Sequence, residues 1–126
     1  MKTLFLLIFL GLGGNIFVPA HAKSKPRGGQ NYYVDAQNGD DRADGKSEKT
    51  AWKSLLRTKE LQLRAGDSLL LRRNSSFNGL LEVSAEGKAG RPVVIGAYGT
   101  GRKPCIQAPD SSLYTVLVRN SDYLTL

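Results

Sequence analysis

Short apolar runs separated by turn-forming residues are the feature that most restricts how this chain can fold. From Leu61 to Leu126 the runs are LQL, SLLLRR, LLEV, VVIGAYG, CIQA, LYTVLV and YLTL, and every interval between them contains Gly, Pro, Asn or Asp. The runs begin 7–13 residues apart, and three of the six intervals are 12 or 13 residues. A succession of short strands at such spacing is typical of a sandwich, a barrel or a solenoid. The pattern therefore predicts a mainly β fold and leaves these three architectures open.

The first 22 residues have the layout of a secretory signal peptide. Lys2 gives a positive start, LFLLIFLGL is an apolar core, and AHA at residues 20–22 is a small-x-small cleavage site. GLGGN interrupts the apolar core before it reaches the ~18 residues that a membrane span requires. We therefore expect cleavage between Ala22 and Lys23, a secreted (periplasmic or extracellular) product, and no membrane attachment after cleavage.

Removal of residues 1–22 excludes several kinds of active site. His21 is the single histidine and would leave with the signal peptide, while Cys105 is the single cysteine. The mature chain could then assemble no Ser-His-Asp or Cys-His catalytic set and no zinc site built on histidines or paired cysteines. It could form no internal disulfide either. We expect Cys105, within KPCIQA, to be a small buried apolar residue.

The mature chain is expected to begin with a basic leader and a first strand. Residues 23–30 (KSKPRGGQ) are polar and contain Pro and Gly, which predicts disorder. Residues 31–36 (NYYVDA) predict a strand, and residues 31–126 form the folded unit. The loop at residues 37–50 (QNGDDRADGKSEKT) suggests calcium, but an EF-hand register beginning at Asp40 places Arg42 and Ala51 at ligand positions. Asx turns are the favoured interpretation of this loop.

A short helix is predicted after this loop. Thr50 is a plausible N-cap for AWKSLLRTKEL, and Trp52, Leu55 and Leu56 fall at i, i+3 and i+4 on one apolar face. Trp52 could serve as a platform on which a sugar stacks. Its place on the apolar face favours core packing instead.

Three stretches resemble one family in their order and spacing. These are YYVDAQNGDDRADGKSEKTAWKSL, LRAGDSLLLRRNSSFNGLLEV with its turn at Gly66 and Asp67, and AGRPVVIGAYGTGRKPCIQA. Together they resemble the N-terminal region of secreted right-handed parallel β-helix proteins of the pectate-lyase-like superfamily, which includes polysaccharide lyases and glycoside hydrolases. The resemblance implies a right-handed parallel β-helix, of which residues 31–126 form the N-terminal cap and the first coils.

The resemblance also implies a function for a longer protein. In the family the catalytic groups lie on later coils, and no position of this chain matches a catalytic motif. We therefore assign no catalytic, cofactor-binding or metal-ligating residue, and we expect an N-terminal piece of a polysaccharide-degrading protein that is inactive by itself. An apolar end at Tyr123, Leu124 and Leu126 favours this interpretation, because an unstacked coil exposes strand edges. The alternative is a complete small secreted module that binds an anionic glycan or a protein partner.

The charge of the chain points weakly to its partners. Loss of Lys2 with the signal peptide leaves 17 basic and 11 acidic residues, a net charge of +6. Such a balance suits an acidic polysaccharide, although Arg72, Arg73, Arg102 and Lys103 are dispersed in the sequence. We expect no nucleic-acid binding, since no recognised motif is present. Self-association through the C-terminal strands is a further expectation.

Overall fold

The strands within residues 28–126 are short, and all of them pair in parallel. A computed structural model describes residues 28–126. A 3₁₀ helix at Leu55–Glu60 lies between the first two strands. The strands are β1 (Asn31–Val34), β2 (Gln62–Arg64), β3 (Ser68–Arg72), β4 (Ser76–Asn78), β5 (Leu81–Glu86), β6 (Val93–Tyr98), β7 (Cys105–Gln107), β8 (Val116–Asp122) and β9 (Leu124–Thr125).

The strands form three sheets that the chain visits in rotation. The sheet orders are β9-β6-β3-β1, β2-β5-β8 and β4-β7. The chain passes through β2, β3 and β4, returns to the same three sheets as β5, β6 and β7, and begins again with β8 and β9. The fold is therefore mainly β with parallel sheets and little helix, as the sequence predicted, and this arrangement is consistent with a β-helix-like fold.

Equivalent residues of successive coils stack on one another. Leu69 in β3 is in register with Ile95 in β6, and Phe77 in β4 is in register with Ile106 in β7. Burial alternates along β3 and β5, because successive side chains of a strand point to opposite faces. The inward-facing residues form one apolar core between the three sheets: Val34, Trp52, Leu55, Leu63, Leu69, Leu71, Phe77, Leu81, Val83, Ala85, Val93 and Ile95.

Trp52 belongs to this core, which confirms the core-packing interpretation. Its side chain is only 4% exposed. The indole ring stacks on Tyr32 with centroids 5.7 Å apart, and its Nε1–H donates to the Ala43 carbonyl at 2.9 Å. Gly45 lies against the ring at a φ of 72°, where an added Cβ would approach Trp52 Cδ2 to 2.7 Å. The ring is therefore enclosed by the loop that precedes it.

The predicted helix begins later than expected and is a 3₁₀ helix. Ser54, not Thr50, is the N-cap, and its hydroxyl accepts a hydrogen bond from the Leu56 N–H. Trp52 lies outside the helix because its backbone pairs with β1: its N–H donates to the Tyr33 carbonyl and its carbonyl accepts from the Asp35 N–H. Leu56 is 71% exposed, so its assignment to the apolar face was wrong.

The N-terminal edge of the described region is attached to the turn between β2 and β3. The Gln30 N–H donates to Asp67 Oδ1, and the Gln30 carbonyl accepts from the Ser68 N–H. Asp67 is fully buried and also accepts from the Arg64 N–H. The Gly-Asp turn singled out in the sequence thus joins β1 to the next coil. The proposed signal peptide, its Ala22–Lys23 cleavage site and residues 23–27 of the leader lie outside the described residues.

The last strands expose apolar side chains. Val116 is 41% exposed, Tyr123 61% and Leu126 77%. The RNSD segment does not end β8 as expected. The strand continues through it to Asp122 with a register shift opposite β5, and Asn120 takes a φ of 51°.

Cys105 is also exposed, contrary to expectation. It is the first residue of β7, which lies at one edge of a two-stranded sheet. In β7 the half-buried side chain is the next one, Ile106. Alternation along the strand therefore leaves Cys105 on the solvent side.

Within residues 28–126, no helix is long and apolar enough to cross a membrane.

Candidate functional site

The acidic loop at residues 37–50 binds its own backbone. Asp40 and Asp44 each accept a hydrogen bond from the N–H two residues further on, from Arg42 at 2.9 Å and Lys46 at 3.0 Å. Asp41 accepts from the Lys53 and Ser54 N–H groups and from the Ser54 hydroxyl. Asx turns therefore organise the loop. Among residues 28–126, no three His, Cys, Asp or Glu side chains are grouped to hold a metal ion.

A polar cleft of about 430 Å³ lies where β3 and β6 end. Parallel strands end at the same edge of a sheet, and the pairings Val34–Leu71 and Arg72–Tyr98 bring the residues that follow them to one place. The acidic loop forms the opposite wall. The residues that line the cleft are Gln37, Glu48, Arg72, Arg73, Asn74, Tyr98, Gly99 and Thr100.

An ion pair between two coils supports the wall of the cleft. Arg72 Nη1 donates to Asp35 Oδ2 at 2.7 Å, and the Asp35 side chain is 3% exposed. Burial works against ionisation of Asp35, but hydrogen bonds from the Asn38 N–H, the Arg72 guanidinium and the Gln37 N–H outweigh it, so the pKa of Asp35 is lowered. The same pair raises the pKa of Arg72. Both groups therefore stay charged at neutral pH.

Asn74 joins the turn after β3 to the turn after β6. Its N–H donates to the Arg102 carbonyl at 2.9 Å, and its Oδ1 accepts from the Arg102 N–H at 2.8 Å. Its carbonyl accepts from Gln37 Nε2 at 2.7 Å, which ties the acidic loop to the same point. Gly101 lies directly against the Asn74 amide, and a Cβ at this position would overlap it. The two turns therefore stack as closely as the strands that precede them.

This stacking gathers basic residues that are dispersed in the sequence. Arg73 Nη1 donates to the Gly101 carbonyl at 3.2 Å, so its guanidinium extends across to the next turn. Arg102 and Lys103 line an adjoining depression of about 270 Å³ that shares Asn74 with the cleft. Arg72 and Arg73 therefore lie on one turn and Arg102 and Lys103 on the turn stacked against it, with the carboxylates of Asp35 and Glu48 on the side of the acidic loop. The sequence-based interpretation of a dispersed charge was therefore wrong at these positions.

Tyr98 supplies an aromatic ring and a protected hydroxyl to the cleft. Its ring packs edge-to-face against Tyr33, with centroids 5.1 Å apart and planes at 87°. Burial, reinforced by the negative charge of Asp35, raises the pKa of Tyr98 to about 12. Its buried hydroxyl makes no hydrogen bond to any described residue. A buried hydroxyl without a partner costs about 1–3 kcal/mol. The packing of the Tyr98 ring against its neighbours must offset this cost.

The two carboxylates near this cleft differ in their availability for chemistry. Most glycoside hydrolases use a pair of carboxyl groups on either side of the scissile bond. Of the two carboxylates that the described residues bring to this cleft, Asp35 is buried and engaged by Arg72. Glu48 is exposed and remains available. Guanidinium, amide and hydroxyl groups are the commonest functional groups on the cleft surface, and these hold polar or anionic ligands.

Sequence reasoning missed this cleft although a signal for it was present. SLLLRRN and VIGAYGTGRK each end a strand in the same sheet with a turn containing basic residues. Pairing Leu70 with Gly96 would have placed Arg72 beside Tyr98 and Asn74 near Arg102. The strand register was the missing information.

The comparisons with known proteins agree on one kind of enzyme. No protein-family model matches the chain. A lacto-N-biosidase of Bifidobacterium longum subsp. longum is 41% identical over 75 residues, which are 56% of this chain and 5% of that protein. A crystal structure of the GH136 lacto-N-biosidase from Eubacterium ramulus superimposes with a TM-score of 0.66 at 33% identity, over 75% of this chain and 19% of that one.

A second crystal structure of the Eubacterium ramulus enzyme, the native protein, gives a TM-score of 0.55 at 43% identity over 59% of this chain and 12% of that one. The chain thus spans less than a fifth of each of these three relatives. It is similar to one part of a glycoside hydrolase.

Proposed function

We propose that this chain forms the N-terminal cap and first coils of a glycoside-hydrolase-type β-helix. The observation that carries the proposal is the similarity to the Eubacterium ramulus lacto-N-biosidase, which extends over three-quarters of this chain. A hydrolase is preferred to a polysaccharide lyase because the relatives are named lacto-N-biosidases. A right-handed coil is part of the proposal, since parallel crossovers within one sheet are right-handed in about 98% of cases.

The cap begins with the Trp52 loop and the 3₁₀ helix. The apolar core of the cap includes the side chains of Trp52, Leu55 and Leu63. Arg57 lies over the Trp52 ring, with its guanidinium carbon 5.6 Å from the ring centroid. At the other end of the stack β8 and β9 are edge strands. An additional coil would satisfy their free backbone groups and cover Val116 and Tyr123.

The chain by itself is proposed to lack hydrolytic activity, since the cleft provides one available carboxylate rather than two. A segment exchange tests the proposed role. Residues 28–126 replace the matching segment of the Eubacterium ramulus enzyme, and lacto-N-biosidase activity and thermal unfolding are measured. We expect the chimera to fold and retain activity, whereas the isolated chain releases no reducing sugar from the same substrate.

The control is the same enzyme with the segment deleted, which should be unfolded and inactive. A chimera no more stable than the deletion would contradict the proposal, as would hydrolysis by the isolated chain. The alternative, a self-sufficient small module that binds a glycan or a protein, would be favoured if the chimera failed while the isolated chain was a stable monomer.

Secretion remains part of the proposal, on the evidence of residues 1–22 alone. Expression with its own N-terminus, followed by mass spectrometry of the exported product, should give a chain that begins at Lys23. A chain retained in the cytoplasm with Met1 intact would contradict it.

A further inference from the structure

We propose that the cleft formed by the turns after β3 and β6, together with the adjoining depression lined by Arg102 and Lys103, binds an anionic saccharide, with Arg73, Arg102 and Lys103 holding its acid group. The inference rests on the proposed function only for the choice of a saccharide as the carrier of the charge. The site belongs to the first coils themselves and uses no residue from later coils.

The excess of positive charge over the cleft and the adjoining depression favours an anionic ligand. Arg72 is neutralised by Asp35, and Glu48 offsets one further charge. No carboxylate oxygen of residues 28–126 lies within 4.0 Å of the charged nitrogens of Arg73, Arg102 or Lys103. Two positive charges therefore remain uncompensated, and they lie on adjacent stacked turns. A carboxylate or sulfate group there would receive charge-assisted hydrogen bonds.

The volume and the lining of the cleft favour a polar ring compound as the ligand. Its volume of about 430 Å³ lies within the ~300–1,000 Å³ typical of small-molecule sites. Gln37, Asn74 and Thr100 provide amide and hydroxyl groups that match sugar hydroxyls. The cleft is held open by interactions that need no ligand: the Gln37–Asn74 hydrogen bond, the Asp35–Arg72 ion pair and the packing of Tyr98 on Tyr33.

Calorimetric titration of the full chain with four probes tests this assignment. The first is trigalacturonate, and the second is its fully methyl-esterified form, which keeps the sugar and removes the charge. The third is a sulfated chondroitin disaccharide, which carries a sulfate group in addition to its uronate carboxylate. The fourth is inorganic sulfate, which has charge without sugar. We expect one or both acidic saccharides to bind and to weaken with added salt, and the ester and inorganic sulfate to bind at least about tenfold more weakly.

Charge removal in the depression that adjoins the cleft supplies the test variants. The double variant Arg102→Gln, Lys103→Gln should weaken binding of the acidic saccharide about tenfold, because both side chains are exposed and only their charges are lost. Lys88→Gln, in the turn between β5 and β6, removes one exposed charge outside both the cleft and the depression and should leave affinity within about twofold. Lys103→Arg should retain binding.

Equal affinity for the ester, equal affinity for inorganic sulfate, or no binding of either acidic saccharide would overturn the proposal. A loss in Lys88→Gln as large, per charge removed, as that in the double variant would also overturn it, since attraction would then depend on net charge alone. None of these results bears on the segment exchange, so the two proposals can fail separately.

Discussion

Arg72 and Asp35 lie 37 residues apart in sequence, and their side chains meet at 2.7 Å across the first two strands of the largest sheet. Asp35 is 2% exposed and uses its second carboxylate oxygen to accept from the Gln37 and Asn38 N–H groups. One side chain thus anchors the acidic loop and links it to the next coil. The structure offers a surface counterpart, Asp40, which makes an Asx turn and an ion pair with Arg42 at 3.1 Å.

Asp35→Asn should destabilise the fold by about 1–3 kcal/mol, because it removes the charged partner of Arg72 at a buried position. The amide oxygen can still accept from the loop backbone, so the loss reports mainly on the ion pair. Urea unfolding followed by circular dichroism measures it. The matched control, Asp40→Asn, changes the same chemistry at an exposed position and should leave the unfolding midpoint nearly unchanged. Equal losses in the two variants would contradict the role given to burial.

Acid should unfold the protein in part through Asp35. Its pKa is lowered in the folded state, so its contribution to stability is fully present above the unfolded-state value of about 3.9 and is lost as pH falls through the folded-state pKa. Urea midpoints measured from pH 6 to pH 2 should therefore decline below about pH 4, and the decline should be smaller in Asp35→Asn. Parallel curves for the two proteins would show that other carboxylates account for the acid sensitivity.

Gly45 and Gly90 make a matched pair for the packing of Trp52. Both have positive φ, 72° and 76°, so an alanine at either position costs about 1–2 kcal/mol in backbone strain. A Cβ on Gly45 would also collide with the Trp52 ring, whereas nothing lies within 4 Å of one on Gly90. Gly45→Ala should therefore lower the melting temperature clearly more than Gly90→Ala and should shift the tryptophan fluorescence. Equal melting temperatures for the two variants would show that the loop around Trp52 can accommodate the Cβ without loss of stability.

The edge strands should cause the isolated chain to self-associate. Val116 in β8 and Tyr123 between β8 and β9 are exposed apolar residues beside unpaired backbone groups. Val116→Lys and Tyr123→Lys should reduce association in sedimentation velocity runs, since lysine on an edge strand opposes pairing. Leu56→Lys serves as the control, because Leu56 is also an exposed apolar residue, at 71%, but lies on the 3₁₀ helix. Association unaffected by the strand variants, or reduced equally by Leu56→Lys, would point to another surface.

Composition and alternation predicted most of the strands but not their partners. The runs SLLLRR and VVIGAYG coincide closely with β3 and β6, because each combines apolar residues with flanking turn formers. β4 was interpreted as part of a turn: its single buried residue, Phe77, is surrounded by Ser and Asn and shows no local period. Its strand conformation comes from pairing with β7 rather than from its own sequence.

The candidate site could not be predicted from local sequence either, because it also depends on which strands pair. Arg73, Asn74, Arg102 and Lys103 have ordinary turn compositions when taken one segment at a time. They become a group only because Asn74 binds the backbone of Arg102 after the strands have aligned. Trp52 could be assigned to the core from its neighbours in sequence, since its apolar environment is partly local.

Parallel pairing between coils has a consequence for how this sequence can change over time. Leu69 is paired in register with Ile95, and Phe77 with Ile106. The residues adjacent to each of them in sequence point to the opposite face of the sheet. A loss of volume at Leu69 is therefore best compensated at Ile95. Among homologous chains, correlated substitutions should fall on such vertically stacked pairs, and their separation along the chain should follow the lengths of the intervening turns.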